Sequence, residues 1–174
     1  MPNFNTGRYS VTQKYLMTRG QALSFPAKFF NTNFKKDEVY GVVVDIPLAA
    51  DVLTTMVCFI NGAANLYFNN GGEYTGASTR YKSVVQAARN LVVNATPLKA
   101  KAKRTSAFPL PVGNTHFVYL MTKRGIFKTE ITPGQFTEED KEKRVVYYLY
   151  QQMMGALRVA QLRDAEGLPE GGKK

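Results

Sequence analysis

The sequence predicts an α+β domain: a five-stranded antiparallel sheet covered by helices in a two- or three-layer sandwich. Three observations lead there. Apolar runs rich in β-branched residues fall into two groups, one before residue 70 and one after residue 115. Within each group the runs are joined by short turns, which makes neighbours antiparallel. A segment with apolar residues at intervals of three and four follows each group, the signature of an amphipathic helix. Strands in two clusters with helices between and after them fit an α+β layer rather than a doubly wound parallel sheet.

The elements follow in order. VYGVVVDI, residues 39 to 46, is strand one, ending before Pro47, which has no N–H to give a ladder. LTTMVCFIN, bounded by Asn61-Gly62, and NLYFN, bounded by Asn70-Gly71, are strands two and three. Ser78 or Thr79 can cap the next helix by accepting an N–H that has no partner in the first turn. Its buried face is Tyr81, Val84, Val85, Ala88, Leu91, Val92 and Ala95, and it ends near Thr96-Pro97, because proline disfavours helical geometry in the preceding residue. TSAFPLPVGN, with two prolines, is a loop. HFVYLMT and IFKTEI flank Lys123-Arg124-Gly125 as a second hairpin. Phe117, Tyr119 and Met121 alternate with Val118 and Leu120, so both sides of the first of these strands should be covered.

Thr137 followed by Glu138, Glu139 and Asp140 starts the last helix, which runs to about Arg163 and about 40 Å. Val146, Leu149, Met153, Leu157 and Ala160 form its core stripe. Gln151, Arg158 and Gln161 lie away from that stripe, and Tyr148 and Val159 fall in neither set. One broad stripe with further apolar residues elsewhere suits a helix that packs on a sheet and also touches a partner. Residues 39–163 are therefore the domain. Residues 1–38 are a partly packed arm, because GQALSFPAKFFNTNF shows no clear period but holds four phenylalanines. Residues 164–174 are expected to be a flexible tail.

Composition sets the bounds. A chain of 174 residues, 44% hydrophobic and 12% aromatic, can bury one substantial core. Its single cysteine, Cys58, sits in the apolar run MVCFI, so an intramolecular disulfide is excluded and a buried, inert thiol is expected. MPNFNTGRYSVTQKYL has no secretory pattern, which points to the cytoplasm. The uncharged run from Val52 to Gly72 is long enough for a bilayer, but its four asparagines and its glycines suit turns better, so no membrane span is expected.

The net charge of +10 is unevenly spread. Residues 1–38 carry +4, 96–104 another +4 and 105–136 carry +2, while 39–95 and everything from 137 onward are neutral. Lys99, Lys101, Lys103, Arg104, Lys123 and Arg124 could thus attract nucleic acid or another anion. Against this, PLKAKAKR has no aromatic on which a base could stack, so a solvated loop is the plainer explanation.

The succession of strand, hairpin, helix, hairpin and helix across residues 39–163, with the NNGG step from hairpin to helix, resembles the roadblock, longin and profilin-like group. That resemblance implies a sheet in the order 2-1-5-4-3 and a non-catalytic module that dimerises or binds a partner, often a small GTPase or a trafficking or motility complex. The N-terminal 38 residues and the length of the last helix depart from that pattern.

Catalytic signatures are sparse. FNNGGEYTGAS lacks the lysine of a phosphate-binding P-loop and contains Glu73, so a turn and crossover is expected there, although Arg80 and Lys82 lie near a helix start. His116, the only histidine, is expected as a strand-end or partly buried polar residue rather than a general base. One His and one Cys exclude the usual zinc sets. Asp45, Asp51 and Glu73 are expected to be solvated acids rather than a cation site. No cofactor is expected. The remaining candidate is a protein-binding surface on the last helix, where Tyr147, Tyr148, Tyr150 and Met154 crowd together. A module that dimerises or binds a protein partner through its sheet edge or its last helix is the expected function, with nucleic-acid or anion binding as the alternative and no enzymatic activity.

Overall fold

The computed structural model describes residues 3–6, 8–30 and 33–167. These contain β1 (Asn3–Thr6), β2 (Tyr9–Thr12), α1 (Gln13–Leu23), β3 (Gly41–Ala49), β4 (Val52–Phe59), β5 (Ala64–Phe68), β6 (Glu73–Tyr74), α2 (Lys82–Val93), β7 (Lys103–Thr105), β8 (His116–Thr122), β9 (Gly125–Ile131) and α3 (Lys141–Glu166). β1 and β2 form a separate hairpin. The other seven strands make one antiparallel sheet in the order β6-β5-β4-β3-β8-β9-β7.

The five expected strands are present, and two short edge strands enlarge the sheet from five to seven. β6 forms because the chain turns back on β5 through Gly71, whose φ of +93° is open to glycine without penalty. Gly62, also at +93°, does the same between β4 and β5. The basic run is not a loop: Thr96–Lys101 is a 3₁₀ turn pinned by the buried Leu98, and Lys103–Thr105 then pairs with β9 as β7. Strand one does not stop before Pro47 but continues to Ala49, with a register shift at Pro47/Ala49. Pairing with β8 ends at Asp45, so the proline sits where only β4 remains as a neighbour. Counting only the five expected strands, the observed order is 3-2-1-4-5, which differs from the 2-1-5-4-3 implied by the family resemblance.

Both faces of the sheet are covered. Val42, Val44, Met56, Cys58, Leu66, Val118 and Leu120 point to one side, against Val84, Ala88 and Leu91 of α2 and Val146, Met153 and Leu157 of α3. On the other side Val43, Val57, Tyr119 and Met121 meet Leu23, Phe30, Phe34 and Tyr40. The segment in which periodicity identifies no element thus forms a hairpin, a helix and an aromatic layer. Arg8 ties that hairpin down by donating to the carbonyls of Ala49 (2.6 Å), Ala50 (2.7 Å) and Gly113 (3.1 Å).

Helix boundaries move inward at two starts. Thr79 does not cap α2; its hydroxyl donates to the Gly76 carbonyl at 2.7 Å within a 3₁₀ turn, and α2 begins after Tyr81. Thr137 does engage Asp140, whose Oδ2 accepts the Thr137 N–H at 2.9 Å, but this closes a turn ahead of the helix, which starts at Lys141. At the other end α3 runs to Glu166, three residues into the expected tail, and residues 168–174 lie outside the described residues.

Candidate functional site

α3 is 26 residues long and presents two different stripes. The inner one is Val146, Leu149, Tyr150, Met153, Leu157 and Ala160, all buried against α2 and the sheet. The outer one is Val145, Tyr148, Gln152, Gly155, Val159 and Leu162, all exposed. Steps of three and four alternate along the outer set, so its members stack on one side of the helix. Of the nine large hydrophobic residues exposed among the described residues, four (Val145, Tyr148, Val159 and Leu162) belong to this one stripe. The other five are scattered: Met17 on α1, Phe29 in a 3₁₀ turn, Leu48 near the end of β3, Val93 at the end of α2 and Val112 in a loop.

The four residues nominated from sequence separate accordingly. Tyr148 is 62% exposed and lies on the outer stripe. Tyr150 is fully buried, its hydroxyl 2.7 Å from His116 Nδ1, so it is a core residue rather than a contact for a partner. Tyr147 is half-buried in an aromatic group with Phe136, His116 and Tyr150, and Met154 packs against the core from its edge. Counting tyrosines and methionines in a stretch ignores which way each points. The alternating three-four spacing of the outer stripe was the signal that could have found Val145, Gly155 and Leu162.

The far end of α3 is clamped. Asp164 accepts from Arg80 (Nη2 at 2.7 Å and Nε at 3.2 Å), from Tyr74 (2.6 Å) and from Tyr81. Arg80's hydrogen bonds, followed by those of the two tyrosines, hold its carboxyl at about 2, well below the ordinary 3.8. Arg80 is therefore engaged by a carboxylate, and Glu73 holds Lys14 at 2.7 Å; FNNGGEYTGAS is more than the expected turn and crossover, since it adds edge strand β6 before the 3₁₀ turn that leads to α2.

The six basic residues do not form one free cluster. Lys99 and Arg124 both pair with Asp37, at 3.4 and 2.9 Å, and Lys123 lies over the Phe34 ring while donating to its carbonyl at 3.0 Å. Asp140's carboxyl is held below its ordinary range chiefly by the hydrogen bonds from Thr137, with the nearby charges of Lys143 and Lys101 as smaller contributions. Lys103 and Arg104 project from the edge strand β7.

Polar groups elsewhere are structural in their surroundings. His116 is 6% exposed, and burial lowers its pKa to about 4, so it is neutral near pH 7. Cys58 is buried on the α2 side of the sheet, where desolvation pushes its thiol up and away from reactivity. Asp45 is not solvated: it lies buried under α1, paired with Arg19 at 2.7 Å, whereas Glu73 is an exposed partner of Lys14. Among the described residues no three His, Cys, Asp or Glu gather as metal ligands, and no helix is long and apolar enough to cross a membrane. Cavities of about 570 and 340 Å³ flank Phe25 and Phe30, lined mainly by aromatic and aliphatic residues, with Lys28 and Lys123 at the first; His116 lines neither.

No protein-family model, curated protein or solved structure matches this chain. The chain is an α+β protein with a seven-stranded antiparallel sheet, and its helix α3 is apolar on two sides.

Proposed function

We propose that this chain is a non-catalytic protein-interaction module whose working surface is the outer stripe of α3. The observation that carries the reading is that Val145, Tyr148, Val159 and Leu162 share one exposed line of α3, in two apolar pairs on either side of Gln152 and Gly155, because exposed apolar residues gathered on one side of an element mark contact sites whereas scattered ones do not. A helix already anchored by its inner stripe and by Asp164 offers that line in a fixed shape, which lowers the ordering cost of binding. The sheet edges are poorer candidates. β6 has two residues, and β7 has three, including Lys103 and Arg104, the short and charged form that discourages strand addition.

A photo-crosslinking residue at Tyr148, with Arg89 on α2 as the control position, tests this in the expressing cell. Adducts of defined mass from position 148 and none from 89 are expected. Equal labelling at both, or none at 148, removes the proposal.

The alternative, a nucleic-acid surface, draws support from Lys101, Lys103 and Arg104 but loses Lys99, Lys123 and Arg124 to Asp37 and Phe34. Binding to single-stranded RNA or DNA at low salt, falling steeply as salt rises, would favour it.

A further inference from the structure

The outer stripe extends by one step at each end. Lys141 precedes Val145 by four residues and Glu166 follows Leu162 by four, giving Lys141, Val145, Tyr148, Gln152, Gly155, Val159, Leu162 and Glu166, all eight exposed. This is a heptad seam over three repeats. When a second copy is laid antiparallel with its centre between Gln152 and Gly155, each position meets one on the other copy. Lys141 meets Glu166, Val145 meets Leu162, Tyr148 meets Val159 and Gln152 meets Gly155.

Every one of those pairs is complementary in charge, polarity or size, and the twofold repeats each of them. Opposite charges close both ends of the seam. Apolar pairs come next. In the middle a large polar side chain faces a residue without one. Nothing lies within 4 Å of where a Cβ would stand at Gly155, so the protomer's own packing does not require glycine there. A glycine in a helix interior costs about 0.5–1 kcal/mol relative to alanine, and a partner helix approaching at the seam's centre supplies a reason for it. A parallel pair would instead set Lys141 on Lys141 and Glu166 on Glu166. Arg144 and Arg158 approach each other at the rim of the antiparallel pair; both are exposed, where salt screens them, and Arg144 is turned to the Thr137 carbonyl.

We infer that the partner on this surface is a second copy of this chain, docked through α3 as an antiparallel, two-fold symmetric helix pair centred between Gln152 and Gly155. The inference rests on the outer stripe being the interaction surface and adds the identity and register of what covers it. Such interfaces are isologous, as the pairing requires. A single helix seam is at the small end of stable interfaces, so the dissociation constant is expected on the order of micromolar.

The test uses the purified full chain. Sedimentation equilibrium across a concentration series should show a monomer–dimer equilibrium. Tyr148→Glu should abolish the dimer without shifting the thermal midpoint of the monomer. Lys141→Glu and Glu166→Lys should each weaken association, by about threefold or more, and the double variant should recover it, because the swapped charges again meet across the pair. Under mild oxidation the variant carrying both Val145→Cys and Leu162→Cys should form a covalent dimer, and Val145→Cys alone should not, since its two copies would stand about 25 Å apart. A disulfide from Val145→Cys alone, or a double charge swap no better than either single one, overturns the register. A chain that stays monomeric at all concentrations overturns self-pairing; adducts of another defined mass from position 148 in the cell would then leave the interaction surface standing with a different partner. A dimer indifferent to Tyr148→Glu overturns both.

Discussion

The two faces of the central sheet are held by different physics. Beneath α2 and α3 the contacts are almost wholly apolar, from Val42 and Leu120 through Leu91 to Leu157. Burial of this kind is non-directional and scales with area, so it says how strongly the helices are held and little about where. The opposite face has aromatic clusters around a buried ion pair. Arg19 of α1, 5% exposed, donates from Nε and Nη2 to Asp45 at 3.0 and 2.7 Å and from Nη1 to the Phe108 carbonyl at 2.9 Å, with Pro109 O at 3.2 Å. Asp45 also accepts from Thr55 at 2.7 Å, which leaves Tyr15 as the donor to Thr55. Burial alone would lower the Arg19 pKa, but Asp45's charge and hydrogen bonds outweigh it and the guanidinium is held charged. A planar fork of fixed donors accepts one arrangement. One face is thus set by quantity of contact, the other by a single directional constellation that fixes α1 and the 106–114 loop together.

The largest effect should come from breaking that constellation on one side only. Asp45→Ala leaves the guanidinium of Arg19 buried without a counter-charge, and about 3–5 kcal/mol of stability should be lost in denaturant unfolding. Replacing both, Arg19→Met with Asp45→Leu, should cost much less, because desolvation of the pair roughly offsets its attraction. A single variant that loses under about 1 kcal/mol would mean the second face is held by its aromatics after all.

This contrast also explains what could be read beforehand. The first face announces itself through period: Tyr81, Val84, Ala88, Leu91 and Val92 recur as a helix must to bury one side, and Val118 and Leu120 alternate as a strand must. The second face has no such record. Arg19 and Asp45 are 26 residues apart and Arg19 and Phe108 are 89 apart, and nothing local tells a buried arginine from a solvated one. The mean pattern of α1, with Tyr15, Arg19 and Leu23 as its buried positions, is one aromatic, one cation and one leucine. The same blindness affected the candidate surface, where Tyr148 and Tyr150 look equivalent in sequence but lie on opposite sides of α3.

The apolar face carries a buried imidazole, His116 against Tyr150, and acid should find it. Burial holds the His116 pKa at about 4 against an ordinary 6.5. In the folded state it stays neutral while the unfolded chain binds a proton, so stability is full above pH 6.5 and is lost as pH falls toward 4, by up to about 3 kcal/mol. His116→Gln should lower stability at pH 7 but flatten the curve between pH 6.5 and 4. An unchanged slope in that window would assign the acid loss to other groups.

The smallest expected effect is at the clamp that joins α3 to the 74–81 segment. Asp164 sits partly in solvent, so Asp164→Asn should change global stability by about 1 kcal/mol or less, within the usual worth of exposed ion pairs. Its signature is local. Arg80, Tyr74 and Tyr81 all converge on this carboxylate, and its loss should free the last turn of α3, seen as faster amide exchange over residues 160–166 with little change in α2. Because its folded pKa of about 2 lies below the ordinary 3.8, wild type should release the same turn between pH 3.8 and 2, after the His116 step and distinct from it. Leu162 and Glu166 stand on that turn, at the end of the outer stripe, so a loosened clamp should also weaken association. If exchange at 160–166 stays slow in Asp164→Asn, the inner stripe alone holds the helix end and the clamp adds nothing to the surface it adjoins.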